Sequence, residues 1–179
     1  MKSLRIVLAG VLVILATAAW AQSDAQKSFE KVKSLAGTWE GRVTTNPPMA
    51  DMGDNASIQV TMRVTSRGNA LVHEMKGSGT LDDPAKNDHP VTMFYVDNDR
   101  LMLTHYCDAG NRPRMVARSS GDGKPVEFDF LDLGGGTQFG HMDHAVFTVI
   151  DANHHTEDWT YMMPGDKPVR AHAELQRLK

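Results

Sequence analysis

Near its start the chain carries an uncharged, largely apolar run from Ile6 to Trp20 and then changes rhythm twice. After that run, Phe29, Val32 and Leu35 recur at i, i+3 and i+6 before Gly37, and Ser23 or Asp24 can cap the turn that precedes them. This spacing predicts one short helix, a lid or plug and not a core element. From Thr38 the period drops to two. Ile58, Val60, Met62 and Val64 alternate with Gln59, Thr61, Arg63 and Thr65, and Val126, Phe128 and Phe130 alternate with Glu127 and Asp129. Ala145, Phe147 and Val149 oppose His144 and Thr148; Val169, Ala171, Ala173 and Leu175 oppose Arg170, His172, Glu174 and Gln176. One apolar and one polar face at alternate residues predict antiparallel strands that are wet on one side.

Turn-forming clusters punctuate this region, from Asn46-Pro47-Pro48 through Asp82-Asp83-Pro84, Asp108–Asn111, Ser120–Gly123 and Gly134-Gly135-Gly136 to Pro164-Gly165-Asp166. Between them lie ten runs of strand length, roughly 38–45, 57–66, 69–77, 90–97, 100–107, 113–119, 126–132, 142–151, 154–163 and 168–178. An open sheet of ten strands would leave two edges unpaired, and closure removes them. The fold class expected is therefore all-β: a ten-stranded antiparallel up-and-down barrel with a short N-terminal helix. Barrels of more than about eight strands are not filled by their own side chains and can hold a ligand.

Charge explains the first segment. Lys2 and Arg5 precede the apolar run, and Ala19-Trp20-Ala21 ends it in a small-x-small pattern. This reads as a secretory signal peptide over residues 1–21, leaving residues 22–179 as a single barrel domain. The run is too short for a bilayer span, so no membrane association is expected after cleavage. Export implies a periplasmic or secreted protein. The formal charge of −3 becomes −5 once Lys2 and Arg5 are removed, and no basic stripe appears, so nucleic acid is not an expected partner. Cys107 is the single cysteine, which excludes an internal disulfide.

Leu35-Ala36-Gly37-Thr38-Trp39-Glu40-Gly41 resembles the Gly-x-Trp opening strand of the calycin barrels, which include lipocalins, fatty-acid-binding proteins and nitrobindins, and the nitrobindin form most of all. Met93-Phe94-Tyr95, Leu103–Cys107, Gly110–Met115, Gly140-His141-Met142 and Asp151–Trp159 resemble a group of secreted bacterial lipocalin-like proteins of unknown function. That second resemblance spans nearly the whole mature chain and implies the barrel without an activity. The nitrobindin likeness implies a haem held by a late-strand histidine, and His172 is the residue there. Its alternation with Ala171 and Ala173 predicts that it points outward, away from any cavity, so no cofactor is assigned.

The polar candidates follow from alternation. His105 and Cys107 share a face with Leu101 and Leu103, which reads either as a core histidine beside an inert thiol or as a polar grip in an apolar cavity. His155, Glu157, Trp159 and Tyr161 share another face, where the rings supply apolar wall and hydrogen-bonding handles. Arg114, after Pro113, is expected at a barrel mouth, where a guanidinium can take a carboxylate through two parallel hydrogen bonds. With Asn111, Tyr95 and Trp39, these define the expected ligand-binding set: Trp39, Tyr95, His105, Cys107, Asn111, Arg114, His155, Glu157 and Trp159. His141 and His144, three apart, are expected on opposite faces, and His154 and His155 diverge, so no metal site is assigned. Signatures of serine hydrolases, zinc peptidases and phosphate loops are missing. The expected function is capture of a partly apolar small molecule, carrying a carboxylate or a phenol, in the barrel interior. The alternatives are an enzyme using His105 with Tyr95 or Glu157 as acid and base, and haem or metal binding through the histidines.

Overall fold

The structure is a computed structural model describing residues 22–49, 56–79, 83–118 and 124–179. The expected signal segment and the turn at 120–123 lie outside the described residues. The ten strands are β1 (Gly37–Asn46), β2 (Ala56–Thr65), β3 (Ala70–Gly77), β4 (Val91–Asp97), β5 (Arg100–Tyr106), β6 (Arg112–Ala117), β7 (Val126–Gly134), β8 (His141–Asp151), β9 (His154–Met163) and β10 (Lys167–Arg177). Each pairs antiparallel with its neighbours in sequence, and β10 returns to β1, giving the closed up-and-down barrel that the pattern predicts.

Helix α1 (Asp24–Lys33) closes one end. Ser23 Oγ caps it by accepting from Gln26 N at 3.3 Å, and Phe29 and Val32 are buried beneath it. The chain then enters β1 with Trp39 fully buried, its indole N–H donating to Leu35 O at 2.8 Å. Arg177 locks this junction. Its guanidinium lies 4.0 Å over the Trp39 ring and donates to Ala36 O and Ala152 O, each at 2.7 Å, and to Ser34 O at 3.2 Å. The glycines of the opening motif follow from this packing. Gly37 sits at φ +146°, where a Cβ would fall 2.2 Å from Arg177 Nη1, and a Cβ on Gly41 would fall 1.8 Å from Glu174 O.

Pairing partners share a face, so the ladders define the lumen. Val60, Met62, Leu71, Phe94, Leu103, Met115, Phe128, Phe147, His155 and Leu175 point inward and are buried, forming a packed half beside α1. Toward the opposite end, Thr45, Met75, Met142, Tyr161, Val169 and Ala171 also point inward by register, yet are only half-buried. Inward side chains that still meet solvent mark this end, among the described residues, as the less tightly packed one. The barrel is thus stoppered at the α1 end and more loosely filled at the other.

Three irregularities depart from simple alternation. A bulge at Leu131 interrupts β6–β7 pairing, and bulges at Asp143 and Ile150 interrupt β8–β9 pairing. Past Asp129↔His144 the β7–β8 ladder stops, although both strands continue. Phe130, expected to extend the buried face of Val126 and Phe128, is therefore 37% exposed, its ring 4.7 Å from that of His141. The Asp143 bulge also resets the count of faces. His141 pairs with Met162 and His144 with Thr160, so both imidazoles lie on the outer face, correcting the expectation that they diverge.

Candidate functional site

At the boundary between the packed half and the more loosely filled half, a row of polar side chains crosses the lumen. Glu157, from β9, is fully buried among apolar neighbours. Its carboxylate accepts from His73 Nε2 at 3.0 and 3.2 Å, from His155 Nε2 at 3.0 Å and from the Trp159 indole N–H at 3.0 Å. His73 belongs to β3, so its bonds to Glu157 span the barrel. Burial pushes the Glu157 carboxyl up, but the charge on His73 and the hydrogen bonds from His155 and His73 outweigh it and hold the group well below the usual carboxylate range. Because both imidazoles face this carboxylate through Nε2, that nitrogen carries the proton in each. Their Nδ1 atoms, buried, have no hydrogen-bond partner.

His105 stands beside this row. Thr92 Oγ1 lies 2.8 Å from its Nδ1, and its buried Nε2 has no partner. Burial, helped by the charge on His73, pushes its pKa down to about 4, so the ring is neutral at physiological pH. Trp159 faces His105 at 5.6 Å, His73 at 5.9 Å and Phe147 at 5.4 Å between ring centroids, and it keeps 6% of its surface exposed. Below it, Trp39 packs edge-on against His155 at 4.2 Å. Trp159 and His105, above the hydrogen-bonded carboxylate, form the side of the row that faces the more loosely filled end.

Trp39, His105, His155, Glu157 and Trp159 therefore come together in the lumen. Tyr95 and Arg114 do not. They alternate with the inward residues Phe94 and Met115, and so fall outside: the Tyr95 hydroxyl is 3.1 Å from Thr104 Oγ1, and Arg114 Nε is 2.7 Å from Asp132 Oδ1, with Nη2 on Oδ2. A guanidinium committed to Asp132 on the outer wall is not a carboxylate anchor for the interior. Asn111 is 2% exposed, but its amide donates to Gly136 O and Gly140 O, tying the loop between β7 and β8. Cys107 lies just past β5, where burial raises its thiol pKa and the carboxylates of Asp88 and Asp108 raise it further, against a lowering backbone hydrogen bond at Ala109. His73 and Thr92 are missing from the expected set. Their signal was present: His73 sits between Leu71 and Met75 at alternate positions, the same arrangement that marked His105 after Leu101 and Leu103.

The histidine on which the haem likeness rests does point outward. His172 Nδ1 is 2.6 Å from Asp158 Oδ1 on the outer face, and His172 lines a half-open depression of about 160 Å³ with outward residues such as Arg170 and with Thr45, Trp159 and Ala171. It supplies nothing to the lumen and does not fit that role. Among the described residues, no group of three or more His, Cys, Asp or Glu side chains is arranged to hold a metal ion.

Fold and site define a closed ten-stranded barrel with a buried polar row across its interior. Among solved structures the chain is similar to Rv2717c from M. tuberculosis, at a TM-score of 0.61 and 12% identity, over 85% of this chain and 98% of that one. It also matches a redesigned beta barrel (TM-score 0.44, 12% identity, 82% and 94% covered) and a DUF3598-family protein of unknown function from Nostoc punctiforme (0.43, 11%, 82% and 48%). At such identities the likeness is one of fold. No protein-family model matches the chain, and no curated protein matches it.

Proposed function

We propose that the chain is an exported, lipocalin-like barrel that captures a small, partly apolar molecule, which enters by the more loosely filled end and rests on Trp159 and His105. One observation carries this reading. His73 Nδ1, His105 Nε2 and His155 Nδ1 are buried in the lumen without partners. A buried polar atom left unpaired costs about 1–3 kcal/mol, so such atoms normally meet a ligand or an ordered water. A bound molecule that bonds to His105 Nε2 removes that cost on the side of the row facing the more loosely filled end.

The apolar share of the ligand follows from the lining, which is Trp159, Met75, Met142, Val169 and Ala171 around one unpartnered polar atom, His105 Nε2. Protein isolated from its native host and examined by native mass spectrometry should carry a small molecule in a one-to-one ratio. Trp159→Phe should remove the fluorescence change that accompanies its release and rebinding. Ligand-free protein that also ignores a panel of apolar and aromatic probes would sink the reading. Export is checked separately by intact mass of the mature chain, expected to begin at Gln22.

A further inference from the structure

We infer that the lumen is selective for an uncharged ligand: a compact, planar molecule bearing a single O–H or N–H group, such as a phenol or an azole, over its ionised counterparts. This rests on the binding reading above and adds its charge class. The first argument is the sign of the interior. Among the inward positions of the ten strands, Glu157, Arg177 and Lys167 carry formal charge. Arg177 lies at the α1 end with its guanidinium spent on three carbonyls, and Lys167 is the outermost, exposed residue of β10. Neither reaches the floor. The fixed charge nearest a bound molecule is thus the Glu157 carboxylate, which already pairs with His73, so an anion placed there is desolvated with no unpaired cation to meet it.

The second argument comes from the rim. Asp88 is close enough to Asp108 for that charge, after burial, to raise its pKa, and both carboxylates act on Cys107 and on the inward Tyr161. An anion entering by this route passes two acidic groups. A cation fares differently but no better. Both Glu157 oxygens are already occupied by His73, His155 and Trp159, so the carboxylate has little left to offer an incoming ammonium. Of the three unpartnered nitrogens, His105 Nε2 is the one whose ring makes no bond to Glu157. Thr92 Oγ1 can give or take a proton at Nδ1, so Nε2 can accept from or donate to a neutral partner at the cost of a hydroxyl rotation. The Trp159 ring then supplies a stacking surface for a flat molecule.

Phenol, benzoate and benzylammonium, nearly equal in size, separate the cases when titrated at pH 7 into mature protein freed of any retained molecule, with Trp159 fluorescence and calorimetry as readouts. Phenol should bind at least about tenfold more tightly than either ion. His105→Phe should weaken phenol by about tenfold while leaving toluene unchanged, and His105→Gln, which keeps a polar end, should recover part of the loss. Benzoate or benzylammonium matching or exceeding phenol would overturn the charge class while leaving lumen binding in place. A retained native ligand that is ionised at pH 7 would do the same. Equal phenol affinity in His105→Phe, Gln and wild-type protein would remove His105 as the handle and overturn the proposal. No response to any of the three probes, in a protein carrying no native ligand, would overturn the binding reading itself.

Discussion

A carboxylate taken fully out of water survives as an anion only if its surroundings replace what water gave. Glu157 has that replacement in two imidazoles and an indole N–H. Removing the charge leaves donors facing a donor, because the amide of a glutamine must turn its NH₂ toward one of the histidines. Glu157→Gln should therefore lose about 3 kcal/mol of stability, measured by urea unfolding at pH 7. A loss below about 1 kcal/mol would mean the row is hydrated and the carboxylate not truly desolvated. His105 acts through pH. In the folded protein it takes a proton only near pH 4, whereas an unfolded imidazole does so near 6.5. Its contribution is then complete above about 6.5 and is lost as pH falls toward 4, an effect of about 3 kcal/mol. Glu157, depressed below its ordinary value of 4.5, adds a loss at still lower pH, in the same direction. His105→Phe should flatten the decline in unfolding midpoint between pH 6.5 and 4. An unchanged slope would place the titration elsewhere.

At the scale of elements, the α1–β1 junction shows why a short motif can be demanding. Gly37, Trp39 and Gly41 are spaced two apart on one face, and each meets β10 or its end: Gly37 under Arg177, Trp39 beneath the same guanidinium, Gly41 against the backbone of Glu174. Gly41→Ala forces a Cβ to within 1.8 Å of Glu174 O, a backbone atom that cannot rotate away. The expected outcome is a loss of more than about 3 kcal/mol or failure to accumulate folded protein, checked by circular dichroism and urea unfolding. A soluble variant of wild-type midpoint would show that β1 can shift freely. The β7–β8 splay illustrates the opposite case. Two bulges and the Phe130–His141 contact replace a ladder that the alternation of either strand alone would have continued.

For the whole molecule, closure is what turns ten half-wet strands into a cylinder with an interior. A closed sheet has a lumen with two ends, and here the ends differ: α1 fills one with Phe29 and Val32, and the other leaves Thr45, Met75, Tyr161 and Ala171 partly wet. Polar side chains at the boundary are buried, with the plugged half below them and the more loosely filled half above. The ligand-retention and probe experiments test this asymmetry directly, since a lumen stoppered at both ends would exchange nothing.

Much of this was legible in the chain. Period-two alternation and turn clusters specify ten strands and their inward faces, and the i, i+3, i+6 spacing of Phe29, Val32 and Leu35 the plugging helix, because burial of one face is a local pattern. The same alternation placed His105, His155, Glu157 and Trp159 on inward faces, and it could equally have placed Tyr95 and Arg114 outside, since Phe94 and Met115 flank them. What alternation cannot carry is the angle around the barrel. His73 and Glu157 are 84 residues apart, and only the closure and stagger of the sheet bring them face to face across the lumen. Nor does a sequence announce bulges, which is why His141, His144 and Phe130 stand where no counting of residues would put them. Local periodicity fixes which side of a strand a residue faces; which strand it then faces is a property of the closed sheet alone.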